Sequence, residues 1–271
     1  MAFAQSWQMF KTSASVLKQR RELAIFPLLS GAASVAVTVT FFVPIVATDV
    51  WDKSSALTYI LFGLMYLTSA FVTLFFNAAL ISQADVAMRG GDPSVAGGVR
   101  AAAGRWPRIL GWALVTATVS QLLRMAQDRV PFLGSILLGL MGAAWQVVTF
   151  LVLPKMVLAD RGLVDAVKDS AESMKRTWGE NVVGNAGLGL LGFLLAIPGA
   201  AVGILGITLI GTSIALAILL FLVGAAMLIA AAVIVSALSG IYQTALYRYT
   251  VDGVVPAAFT DVDLAHAFHQ R

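Results

Sequence analysis

The feature of the sequence that most constrains its fold is a charge-free stretch over residues 181–247, bounded by Glu180 and Arg248. As a single α-helix this stretch would be roughly 100 Å long, because each residue adds about 1.5 Å. The hydrocarbon core of a bilayer is only about 30 Å thick and is crossed by about 20 apolar residues. The stretch therefore predicts two membrane-spanning helices that fold back at residues 211–213.

Further runs with little or no charge precede this stretch. Together they predict six transmembrane helices, at about residues 23–47, 55–84, 108–127, 130–154, 181–209 and 214–247. The composition agrees, since 59% of the residues are hydrophobic and 12% are charged, whereas soluble domains carry about 25% charged residues. The sequence predicts an all-α polytopic membrane protein in which residues 1–271 form one integral membrane domain. It excludes an ordinary soluble enzyme, a disordered chain and a nucleic-acid-binding module.

Basic residues are distributed unevenly between the two sides that six spans would create. Of the 18 Lys and Arg residues, only Lys53, Arg124 and Arg129 fall on the side away from the termini. Lys and Arg concentrate in the cytoplasmic connections of membrane proteins. The sequence therefore predicts an inner (cytoplasmic) membrane protein with both termini, including a tail over residues 248–271, in the cytoplasm.

A short amphipathic helix is predicted before each odd-numbered span, at about residues 3–21, 93–106 and 163–178. In the first, Phe3, Trp7 and Phe10 share one helical face, opposite a basic face. Such helices either lie in the membrane interface or pack as lids on the cytoplasmic end of the bundle, and the sequence leaves both open. In the interfacial case anionic lipid headgroups would contact Lys11, Lys18, Arg20, Arg21, Arg100, Arg105, Lys168, Lys175 and Arg176.

Strongly polar residues inside a membrane are functional candidates by default. The predicted spans contain no Asp, Glu or His, and the chain has no Cys, so we expect no catalytic residue, no cofactor and no metal. The remaining candidates are amides and two cations. One cation, Lys155, follows Pro154 at the end of the fourth span, and we expect its side chain to extend to the membrane surface. The other candidates could line a path for a small solute or an anion, or could form ordinary interhelical hydrogen bonds; they are Asn77, Gln121, Arg124, Gln146, Asn185 and Gln243.

The tail holds the only histidines of the chain. Asp263, His266 and His269 have a spacing that could hold a metal, but three ligands without a fixed fourth are weak support for a metal site. A solvated helix face is the preferred interpretation of these residues.

Four stretches carry a family resemblance: SWQMFKTSASVLKQRRELAIFPLLSG near the start, FFNAALISQADVAMRGGDPSV after the second span, KRTWGENVVGNAGLGL entering the fifth, and ALYRYTVDGVVPAAF at the tail. With them the chain resembles a family of prokaryotic six-helix integral membrane proteins classed as a domain of unknown function. The resemblance covers nearly the whole chain and implies a bacterial-type inner membrane. It supplies no activity, and therefore no site residues.

We expect a non-enzymatic integral membrane protein that organises a membrane assembly or is an accessory subunit of one, because the sequence shows no soluble domain, no energy-coupling motif and no buried charge network. Its partners would be membrane lipids, a second copy or another membrane protein. Gly199 and Gly203 form a G-x-x-x-G pattern that allows close helix packing, within the chain or between copies. Two alternatives remain open: a channel or facilitated transporter for a small solute or anion, and a lipid-handling protein.

Overall fold

The computed structural model describes residues 2–47, 56–130 and 132–252, and over these residues the chain is helical with no strand. The helices are α1 (Ala2–Gln19), α2 (Ile25–Ala47), α3 (Ala56–Met88), α4 (Val95–Ala103), α5 (Trp106–Gln127), α6 (Phe132–Thr149), α7 (Val152–Leu158), α8 (Leu163–Thr208) and α9 (Ile214–Tyr247). A 3₁₀ turn at Arg21–Ala24 precedes α2, and a π-helical turn at Arg248–Asp252 follows α9. The rest of the predicted tail, with Asp263, His266 and His269, lies outside the described residues.

Six segments within the described residues are long and apolar enough to cross a membrane, which confirms the predicted number of spans. They are Arg21–Val43, Leu57–Met88, Trp106–Gln127, Ile136–Leu158, Gly187–Thr208 and Ile214–Thr250. The chain is therefore an all-helical, multi-pass membrane protein.

The second span is longer than predicted and brings a carboxylate into its helix. α3 continues past the expected end at residue 84 and stops at Met88, because the first helix-ending residues are Gly90 and Gly91. Gly90 has φ of 80°, and the Gly91 N–H donates to the Val86 carbonyl at 2.9 Å, which is a glycine-based helix termination. Asp85 thus lies in the last turns of a membrane-spanning helix.

The fourth span is broken where the sequence predicted one continuous helix over residues 130–154. α6 ends at Thr149 and α7 begins at Val152. Pro154 explains the position of the break, because a proline has no N–H to donate to the carbonyl four residues earlier, here that of Phe150. The first helix ends at Thr149, about one turn before the proline, and the second helix begins at Val152.

The third amphipathic helix, predicted over residues 163–178, is not a separate element. It is the first part of α8, a single helix of 46 residues that also contains the fifth span. Pro198 lies inside this helix without ending it, and the residues around Glu180 include no proline that would stop the helix there. α1 and α4 are separate short helices, and they pack against α8 and α9 and against α3, respectively.

The packed core lies at one end of the bundle, which we call the charged end; it carries α1, α4, α7 and the last turns of α3 and α9. The largest fully buried side chains are here, among them Phe26, Leu80, Ile109, Met156 and Leu238. Toward the other end the apolar side chains of α2, α3, α8 and α9 are exposed. Apolar surface of this extent is suited to lipid chains rather than to water.

Small residues hold α8 and α9 together in the half of the bundle away from the charged end. A Cβ atom on Gly224 of α9 would lie 2.8 Å from the carbonyl oxygen of Gly199 and 2.8 Å from the amide nitrogen of Gly203. The two backbones approach too closely at this crossing for a side chain at position 224. The G-x-x-x-G pattern of α8 is therefore used for packing within the chain.

Candidate functional site

A buried ion cluster joins the end of α3 to the turn after α9. We call Asp85, Arg89 and Arg248 the Asp85 cluster. The Arg248 Nε atom lies 2.5 Å from Oδ1 of Asp85, and the Arg89 Nε atom lies 3.0 Å from Oδ2. Asp85 is 8% exposed and Arg248 is 7% exposed, whereas the Arg89 side chain is 63% exposed. Charges this deeply buried persist only when they are paired.

The guanidinium of Arg248 is only partly satisfied within the described residues. Its Nε atom donates to Asp85, but its buried Nη2 atom has no hydrogen-bond partner there. Arginine stays protonated in proteins and always presents this donor. A buried donor without an acceptor costs about 1–3 kcal/mol, and more for a charged group.

The loop between α3 and α4 is anchored beside the Asp85 cluster. Gln83 is buried, and its Oε1 atom accepts a hydrogen bond from the Ser94 N–H at 2.8 Å. The Ser94 hydroxyl in turn accepts from the Gly97 N–H at 3.1 Å and so caps the start of α4. The end of α3 therefore fixes both the ion cluster and the position of α4.

Lys155 is a second buried cation at the charged end. The sequence predicted that it would reach out to the membrane surface beside Pro154, but it is 5% exposed. Its Nζ atom donates to the Ser173 hydroxyl at 2.8 Å, and that hydroxyl donates to the Asp169 carbonyl at 2.9 Å. The ammonium thus ties α7 to α8.

The break in the fourth span is held by polar side chains of neighbouring helices. Gln243 of α9 donates from Nε2 to the Phe150 carbonyl, the acceptor that Pro154 leaves without a helical partner. Ser170 of α8 is fully buried and donates to the Val148 carbonyl at 2.5 Å. Each side chain satisfies a carbonyl at the end of α6 that the helix cannot satisfy itself.

Two arginines of the α4–α5 corner converge on one aspartate of the α7–α8 loop. Arg108 donates to Asp160 Oδ1 at 2.7 Å and to its carbonyl at 3.0 Å. Arg105 Nε lies 3.3 Å from the same Oδ1 atom. Asp160 has φ of 53°, in the left-handed region. A third ion pair, Arg20 with Asp92 at 2.6 Å, joins the end of α1 to the α3–α4 loop.

The residues predicted to line a polar path lie in different places. Gln121 and Arg124 are exposed on α5, and Gln146 is exposed on α6. Gln243 is buried against Phe150, and Asn77 is half-buried on α3. Asn185 lies on α8, and its side chain is outside the described part of the chain. Asn77 contributes to the groove described next, and a polar path lined by the whole set stays a prediction.

A groove of about 450 Å³ lies between α3, α8 and α9, and Asn77 contributes to its lining. We call it the α3–α8–α9 groove. Most of its other lining residues are small, and among them are Gly192, Ala196, Ala232, Ser236 and Ser239. The groove lies in the membrane-spanning region and is largely apolar, and its polar groups are two serine hydroxyls and one amide.

The residues predicted to contact lipid headgroups fall into three groups. Lys11, Lys18, Arg21, Arg100 and Lys168 are exposed at the charged end, and the side chains of Lys175 and Arg176 are outside the described part of the chain. Arg20 and Arg105 instead pair with aspartates. Headgroup contact by the exposed group stays a prediction.

Sequence reasoning missed Asp85, Arg248 and Lys155 because each lies where a charge-free run ends. A prediction based on charge-free runs places such residues in the connections and not in the spans. A usable signal was present: Asp85 and Arg248 are opposite charges that each terminate a long apolar run on the same side of the membrane. Opposite charges at matching depth on neighbouring helices can pair.

Comparison with known proteins gives one family. The model of a family of unknown function (DUF6159) matches residues 56–257. The match confirms the resemblance found in the sequence. No curated protein has a significantly similar sequence.

Proposed function

The chain belongs to this family of unknown function, and we propose that it is a non-enzymatic membrane protein that organises a membrane assembly or is a subunit of one. The observation that carries the proposal is the α3–α8–α9 groove. Small side chains there let another transmembrane helix approach closely, and Asn77 can form an interhelical hydrogen bond with it. Both features are typical of helix association inside membranes.

The use of the charged and polar side chains also supports this proposal. Asp85, Lys155 and Gln243 each connect two helices of the same bundle. These side chains are therefore engaged in holding the bundle together. The groove on the lateral surface remains available for an interaction.

Native mass spectrometry after gentle extraction from the membrane tests this proposal. We expect a stoichiometric second protein, or a second copy, bound to the wild-type chain. Ala232→Leu together with Ser236→Leu fills the groove and should release the partner. Ala230→Leu is the matched control, because Ala230 is exposed on α9 but does not line the groove. A wild-type monomer that carries only lipid would contradict the proposal.

The proposal includes the orientation inferred from the basic residues, with the charged end in the cytoplasm of an inner-membrane protein. Because the chain has no Cys, single cysteines report on sidedness without background. A membrane-impermeant maleimide should label Arg129→Cys in intact cells and Lys18→Cys only after lysis. The reverse pattern would invert the orientation.

A facilitated transporter for a small solute is a second candidate, because Asn77, Ser236 and Ser239 give the groove polar groups within the membrane. Flux of small polar solutes into liposomes that contain the purified protein tests it. Ser239→Leu should abolish such flux. Equal flux with wild-type protein and with empty liposomes would reject this candidate.

A further inference from the structure

The Asp85 cluster has more positive than negative charge. One carboxylate, that of Asp85, is shared by two guanidinium groups, those of Arg89 and Arg248. Both guanidinium groups stay protonated, so the cluster carries a net charge of about +1 even with its carboxylate ionised. The excess positive charge is shared between the buried Arg248 and the exposed Arg89, and it favours an anion from outside the cluster.

The cluster also has a free donor. The Nη2 atom of Arg248 is buried and has no hydrogen-bond partner in the part of the chain that the structure describes. Native proteins leave few buried polar groups unsatisfied, and such a group calls for a partner beyond the described residues. A charged acceptor is the strongest partner that a guanidinium N–H can have.

The position of the cluster limits what the anion can be. Asp85 lies in the last turn of the span Leu57–Met88, and Arg248 lies in the last turn of the span Ile214–Thr250, so we place both near the boundary between hydrocarbon and headgroups. The 3₁₀ turn at Arg21–Ala24 packs against α3 and α9 and brings the exposed Arg21 to this end of the bundle. Phosphate is the anionic group found at this depth of a membrane, and guanidinium groups bind it through paired hydrogen bonds.

From the charge, the free donor and the depth we infer that the Asp85 cluster is a phosphate-binding site at the membrane boundary, entered through the exposed Arg89. Arg248 Nη2 and the Arg89 guanidinium supply the donors, and Asp85 holds both arginines in place. The phosphate can come from the headgroup of an anionic lipid or from a free anion in the adjacent water. This inference does not depend on the proposed role of the groove.

Thermal unfolding of the purified full-length chain in detergent tests the site, because a ligand that binds only the folded state raises the Tm. The probes are phosphatidylglycerol, phosphatidylcholine and inorganic phosphate. We expect phosphatidylglycerol, whose headgroup has a net negative charge, to raise the Tm, and phosphatidylcholine, whose phosphate is balanced by its own choline cation, not to raise it. Arg89→Gln should weaken binding roughly tenfold or more, as expected for the loss of a charged hydrogen bond.

Two further variants make the test specific. Arg100→Gln removes an exposed arginine of α4 outside the cluster, and the Tm rise should persist. Arg248→Lys keeps a cation for Asp85 but removes Nη2, and the rise should shrink even though the protein folds.

Inorganic phosphate could raise the Tm as much as phosphatidylglycerol does, with the rise lost in Arg89→Gln. That result would support the site and show that its ligand is a free anion from the water. The inference would be overturned if phosphatidylcholine stabilised the protein equally, or if Arg89→Gln and Arg248→Lys both kept the full rise.

Discussion

The side chain of Gln243 shows how one residue compensates for a backbone defect elsewhere. Pro154 leaves the Phe150 carbonyl without a helical donor, and Gln243 donates to it from another helix. Gln146 is an amide of the same kind, but it is exposed on α6. The two amides look alike in the sequence, and only the structure shows that one of them satisfies a broken helix.

We expect Gln243→Leu to lower the free energy of unfolding by about 1–2 kcal/mol, because a carbonyl inside the membrane loses its donor. Gln146→Leu is the matched control and should change stability little. Chemical denaturation of the purified protein in detergent, followed by tryptophan fluorescence, gives both values. Equal losses for the two variants would mean that Gln243 has no special role.

Asp160 offers a second test at the residue scale, because its φ of 53° is unfavourable for most residues. Its ion pairs with Arg105 and Arg108 are half exposed and contribute little to stability. We therefore expect Asp160→Gly to have a higher Tm than Asp160→Ala, by an amount that corresponds to about 1 kcal/mol. Equal Tm values would show that the backbone conformation at this position carries no strain.

At the scale of the elements, the sequence predicted the six spans well and the breaks and continuities within them poorly. Charge-free runs determine where helices cross the bilayer, and such runs are visible in the sequence. Whether a helix stops at its polar boundary depends on tertiary contacts. α8 continues across the polar residues around Glu180, and α3 continues to its glycine termination and includes Asp85, whose carboxylate pairs with Arg248.

The break between α6 and α7 gives a prediction about coupling between two elements. Pro154→Ala restores an N–H that can donate to the Phe150 carbonyl and lets the two helices join. In the Pro154→Ala background, Gln243→Leu should lower the free energy of unfolding by less than it does in the wild type, because the Phe150 carbonyl then has a second donor. A double-mutant cycle measures the difference. Strictly additive losses would show that the proline does not create the need for Gln243.

At the scale of the whole molecule, packing is concentrated at the charged end. Among the described residues, the ion pairs, the buried amides and the largest fully buried apolar side chains lie at this end, whereas the other half of each long helix exposes apolar surface. In a bilayer the lipid chains cover that surface. The protein's own contacts therefore stabilise mainly one end, and the membrane supports the other.

Because protein contacts stabilise one end and lipid covers the other, we expect a leucine-to-alanine substitution to lower the free energy of unfolding by different amounts at two places on α9. Leu238 is fully buried at the charged end, whereas Leu222 is 61% exposed in the other half. Leu238→Ala leaves a cavity among packed side chains and should destabilise the protein by about 2–5 kcal/mol. Leu222→Ala removes a side chain that contacts mainly lipid or detergent, so its cost should stay below about 1 kcal/mol. Denaturation of the two purified variants under identical conditions measures both values. A cost at Leu222 as large as that at Leu238 would mean that another protein chain, and not lipid or detergent, packs on this half of the purified molecule.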